Sequence, residues 1–133
     1  DCLLSRGLGD VYKRQLIDGL HENFRKRAGQ ADVLKQLIAD SPHPTLVCGD
    51  FNSLPSSYVY HTIKGDKKGD KKGNKLQDGF QTSGHGYMYT FKFFKHLLRI
   101  DYVLHSPELK STDYFSPDWS YSDHNPVVMR MKL

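Results

Sequence analysis

The sequence is short of several features that mark whole classes of protein. Two cysteines, Cys2 and Cys48, are the full complement in 133 residues, which makes neither a disulfide framework nor a metal spacing. Cys48 lies inside an apolar run and reads as a buried small hydrophobe. No apolar run approaches the length needed to cross a bilayer, and no signal-peptide pattern opens the chain. A general basic excess is missing as well, although the formal net charge is +4. Residues 64–75, KGDKKGDKKGNK, hold six lysines and two aspartates, and the rest of the chain balances at 13 basic against 13 acidic residues. A uniformly positive surface of the kind that coats nucleic acid is therefore not indicated. What is present, 12% aromatic and 26% charged residues, suits one globular domain with a modest core.

Residues 1–15, DCLLSRGLGDVYKRQ, show no clear periodicity, and their GDVYKRQ ending resembles translated adapter read-through at the ends of metagenomic contigs. They are expected to be a non-native or disordered leader, and a start at Asp1 rather than Met points to a fragment. From Leu16 to Ala39 residues recur at spacings of three and four (Leu16, Leu20, Phe24, Ala28, Ala31, Leu34 or Lys35, and Ile38), which predicts a helix. Asp40-Ser41-Pro42 ends it, because the residue before a proline is pushed out of the helical region. A buried strand is expected over Thr45–Cys48, then a helix start at Leu54-Pro55-Ser56-Ser57, with a serine near the N-cap of a short helix through Ile63. The lysine-rich insert has nothing apolar to bury and is expected to be a mobile loop. Beyond it, strands are expected over Tyr87–Phe94, Arg99–Leu104, Lys110–Phe115 and Val127–Met131.

Three clusters carry chemistry. In Gly49-Asp50-Phe51-Asn52, a carboxylate and a carboxamide follow the first strand two residues apart, which puts them on one side if the strand continues. Alone, the segment reads first as a polar turn after a buried strand. Arg99-Ile100-Asp101-Tyr102 sets a carboxylate into an apolar strand, where it needs a donor, with Arg99 expected on the opposite face. Ser122-Asp123-His124-Asn125-Pro126 places an acid beside a histidine ahead of the last strand. Together they supply three carboxylates, an imidazole and a carboxamide, a toolkit for hydrolysing phosphoesters with a divalent metal. Asp101 and His124 are expected within hydrogen-bonding distance, with Asp50 and Asn52 facing the same cleft. The last strand is expected to bring His124 in by pairing alongside.

GDFN, RIDYVL and SDHNPV, in that order, resemble the endonuclease/exonuclease/phosphatase superfamily, the deoxyribonuclease-I-like phosphoesterases. RAGQADVLKQLIADSPHPTLVCGDFN resembles its bacterial branch, and the resemblance covers roughly residues 24–133. It implies an α/β (α+β) fold, a four-layer sandwich of which this chain is the C-terminal half, contributing mainly one sheet and its covering helices. It implies that Asp50 acts on the attacking water or leaving oxygen and that Asn52 donates to the phosphate. Asp101 would orient and charge His124, which bonds the phosphate or serves as base. Asp123 would lie at the metal side, with Mg2+ or Mn2+ as cofactor, while Asn125 has no catalytic role. The early asparagine, the main metal-binding glutamate and the Asn-x-His block of the family are absent from this sequence; His21 lacks the Asn-Thr strand that would make it that block's histidine. The implied partners are a phosphate-ester substrate, nucleic acid among the options, and the N-terminal half of the same domain. The alternative is a non-catalytic module that holds nucleic acid through the basic loop.

Overall fold

A computed structural model describes residues 2–66 and 75–132. Most of the lysine-rich insert, residues 67–74, lies outside the described residues. The chain divides into two units, residues 1–30 and Ala31–Leu133.

Helix α1 spans Cys2–Asp40 and so begins well before the predicted Leu16. The backbone of the expected leader is helical from Cys2 onward; no proline precedes Pro42, so nothing in the sequence breaks the helix earlier. Within the first unit, Glu22 pairs with Lys26 one turn on (2.8 Å), and the Arg27 guanidinium lies over the Phe24 ring at 4.8 Å.

In the second unit the predicted apolar spacing is used at Ala31, Leu34 and Ile38. These pack onto a core of Val59, Tyr60, Ile63, Leu76, Tyr102 and Leu104. Strand β1 (Leu46–Asp50) follows, then helix α2 (Tyr58–Lys64). Helix α2 starts as the sequence predicts: the Ser57 hydroxyl accepts the Tyr60 N–H. It ends at Gly65, whose φ of 71° is the left-handed turn that glycine adopts without strain. Strand β2 (Gln77–Asp78) and helix α3 (Gly79–Ser83) come next. A strand expected over Tyr87–Phe94 is not formed. Phe91 makes single bridges to Leu98 and His124, and helix α4 (Phe93–His96) takes the end of the segment. Strands β3 (Asp101–His105), β4 (Lys110–Phe115) and β5 (Val128–Lys132) complete the unit, within a residue or two of prediction.

The strands form two antiparallel sheets rather than one, β1-β3-β2 and β4-β5. The first holds the site. Strand β3 is central, and β1 lies at an edge with Asp50 directly opposite Asp101. Strand β1 is not buried: only Val47 is half-covered, and Cys48 is exposed, contrary to expectation. Hydrophobic sequence put it inside, but an edge strand with one open face leaves it at a cleft wall. Enough of the thiol is covered that burial raises its pKa.

One buried polar cluster fixes β2 against β3. Asp78 accepts both guanidinium nitrogens of Arg99 (2.8 and 3.2 Å), the Tyr60 hydroxyl (2.7 Å) and the Phe80 N–H at the start of α3. Burial works against the charged Arg99, yet the carboxylate beside it raises its pKa overall. Arg99 does point away from Asp101. Strand alternation is not the cause, since residues two apart would share a face; Arg99 precedes β3 and turns toward Asp78.

Candidate active site

Asp50 and Asp101 face each other as the last pair of the β1–β3 ladder, and like charges in register repel. His124 relieves this. Its Nδ1 is 2.8 Å from Asp101 Oδ2 and its Nε2 is 4.0 Å from Asp50 Oδ2. The hydrogen bond to Asp101 raises the imidazole pKa; partial burial opposes this, and the charges of Asp101, Asp50 and Asp123 add to it. His124 arrives from the loop before β5 and not by strand pairing with β3, since β5 pairs with β4. It is held there by a bridge to Phe91, whose ring lies 4.9 Å from the imidazole.

Asn52 is beside Asp50, though not by strand alternation. Strand β1 has ended, and Asn52 adopts a φ of 46°. Its backbone N–H donates to Asp50 Oδ1 (2.7 Å) and its amide nitrogen to Oδ2 (3.0 Å). The segment is thus a polar turn that sets the Asp50 and Asn52 side chains together. The Tyr102 hydroxyl, 2.7 Å from the Ser53 carbonyl, ties the loop after this turn back to β3.

Thr90 and Asn125, for which sequence reading found no role, hold the parts together. The buried Thr90 hydroxyl accepts the backbone N–H groups of Ile100 and Asp101 (3.0 and 3.1 Å). Its carbonyl accepts the Asn125 N–H at 2.7 Å, and Asn125 itself is buried. No motif marks a threonine used this way. Asp123 is not part of the convergence: it is exposed, its carboxylate meets the Ser122 hydroxyl at 3.4 Å, and its carbonyl accepts the Lys92 N–H.

A cleft of about 440 Å³ opens over Asp50, Asp101 and His124, and Trp119 and Tyr121 also line it. Asp50, Asp101 and His124 bring one donor atom each within 4.8 Å of one another, a group that could hold a metal ion. Two carboxylates and one imidazole are chemically suited to a divalent cation, so the donor set fits.

A sequence profile of the Endonuclease/Exonuclease/phosphatase family matches residues 9–124. The chain belongs to this family. Its fold is the corresponding α/β one: an endonuclease/exonuclease/phosphatase from Bacteroides vulgatus superposes with a TM-score of 0.65 at 25% identity, over 80% of this chain and 44% of that one. A conserved protein of unknown function from Enterococcus faecalis gives 0.66 at 24% identity, over 82% and 45%. A mannosyl-6-phosphatase from Bacteroides thetaiotaomicron gives 0.56 at 21%, over 82% and 46%. The chain thus spans less than half the length of these solved structures. No curated protein gives a significant match.

Proposed function

We propose that the complete protein hydrolyses a phosphate ester with the help of a divalent cation, Mg2+ or Mn2+. The observation that carries this is His124, held by Asp101 at 2.8 Å and presenting Nε2 toward Asp50 at an open cleft. Asp101 fixes the ring and favours its protonated form, so His124 can donate from Nε2 to a phosphate oxygen or exchange a proton there. In this reading Asp50 takes a proton from water or returns one to the leaving oxygen. Asn52 uses one amide hydrogen on Asp50 and keeps another for the phosphate. Asp50, of the convergent donor group, would also hold the cation, with Asp123, which lies outside that group, as a supporting contact; when bound the cation would supply positive charge to the phosphate.

The test is an assay of the complete protein with Mg2+ on plasmid DNA, a small phosphodiester and a hexose 6-phosphate. The last is included because one solved structure of the same fold is a mannosyl-6-phosphatase. At least one is expected to be hydrolysed, and the activity to disappear in His124→Ala. Failure to hydrolyse any of them overturns the reading.

A further inference from the structure

Trp119 and Tyr121 line the cleft that holds His124. Trp119 is 56% exposed and Tyr121 92% exposed, with the rings edge to face at 6.3 Å. An indole lining the same cleft as His124 offers a flat apolar face to a ring bound there.

The backbone of Trp119 is fixed from both sides. Its N–H donates to the Asn125 side-chain oxygen at 3.3 Å, and the Lys92 ammonium donates to its carbonyl. Asn125 is only 3% exposed and is itself bonded to the Thr90 carbonyl, while the Thr90 hydroxyl receives the Asp101 N–H. Thr90 and Asn125, bonded to each other, thus link the backbone of Asp101 to that of Trp119. A backbone tied to the frame of the Asp–His pair carries the indole at a fixed place on the cleft wall, and its ring packs edge to face with Tyr121.

Among the described residues lining the cleft, none is a lysine or arginine. A long nucleic-acid strand needs cations along its backbone, whereas a single phosphate beside an aromatic face does not. Resting on the phosphoesterase reading above, we propose that Trp119, with Tyr121 beside it, is a stacking platform for a ring carried by the leaving group. The substrate class is then a small ring-bearing phosphate ester, a hexose phosphate or a mononucleotide.

The test compares the complete protein with its Trp119→Ala, Trp119→Phe and Tyr121→Ala variants on glucose 6-phosphate, AMP and the ring-free glycerol 3-phosphate. Trp119→Ala should lower kcat/KM for at least one ring-bearing ester by roughly tenfold or more, mainly through KM, the scale of removing one stacking surface. Glycerol 3-phosphate should change less than twofold, and Trp119→Phe should restore most of the loss. Trp119 is the sole tryptophan of this sequence, so the emission difference between wild type and Trp119→Phe reports ring binding without turnover. Stronger quenching by AMP or by glucose 6-phosphate tells base from sugar. An equal loss on ring-bearing and ring-free esters, or no loss at all, overturns the platform. Cleavage of plasmid DNA with none of the three small esters overturns it too while leaving the phosphoesterase reading intact; no cleavage of anything ends both.

Discussion

His124 Nδ1 lies 2.8 Å from Asp101 Oδ2, joining a strand to a loop across 23 residues of sequence. The carboxylate supplies both a fixed ring orientation and a charge that favours imidazolium. Asp101→Asn keeps the shape and removes the charge. In the complete protein it should lower kcat by about a hundredfold or more, the range of a positioned acid–base group, with the circular dichroism spectrum unchanged. Activity within twofold of wild type would show that the pair is structural only.

The same pair makes stability depend on pH. The folded-state pKa of His124 is raised above its ordinary value. Its contribution is thus fully present below the unfolded histidine pKa, about 6.5, and is lost as pH rises through the higher folded value. In metal-free buffer, wild type should melt above His124→Gln at pH 5.5, and the gap should shrink by pH 9. A gap that widens with pH would mean that the ring is held neutral.

Asp78 and Arg99 form a second, deeper pair, with side chains 0% and 8% exposed. Removing one partner strands the other charge among aromatic rings. Asp78→Ala should cost about 3–5 kcal/mol in urea unfolding, and Tyr60→Phe, which loses one hydrogen bond to the same carboxylate, about 1 kcal/mol. Arg99→Met combined with Asp78→Ala should recover part of the loss, because no buried charge is then left alone.

How much of this was legible beforehand depended on whether the signal was local. The Asp101–His124 contact followed from the need of a carboxylate among Ile100, Tyr102 and Val103 for a donor, and that need is written in the strand itself. The route was not: the residues ahead of β5 suit pairing beside β3, yet β5 joins β4. Cys48 was misplaced because an apolar run says nothing about whether its strand lies at an edge. Asp78 gave no sign of its role, since an aspartate ahead of a glycine looks like a turn residue. It is a helix cap and a buried ion partner at once. Thr90 acts through backbone N–H groups ten and eleven residues away, a contact that only the folded chain defines.

A measurement of metal dependence would separate the proposed roles of Asp50 and Asp123. Asp50 belongs to the convergent donor group with Asp101 and His124, whereas Asp123 is exposed outside it. If both carboxylates hold the cation, they should do so unequally. Chelation should abolish activity of the complete protein, and Mg2+ or Mn2+ should restore it. Asp50→Asn should leave little activity at any metal concentration, since this carboxylate is also proposed to move a proton. Asp123→Asn should keep most of kcat but raise the metal concentration for half-maximal activity about tenfold or more, as expected when one supporting contact to a metal site is lost. Isothermal titration with Mn2+ would show the same shift without turnover. An unchanged metal requirement in Asp123→Asn would remove Asp123 from the metal site and leave the cation to Asp50 and its neighbours.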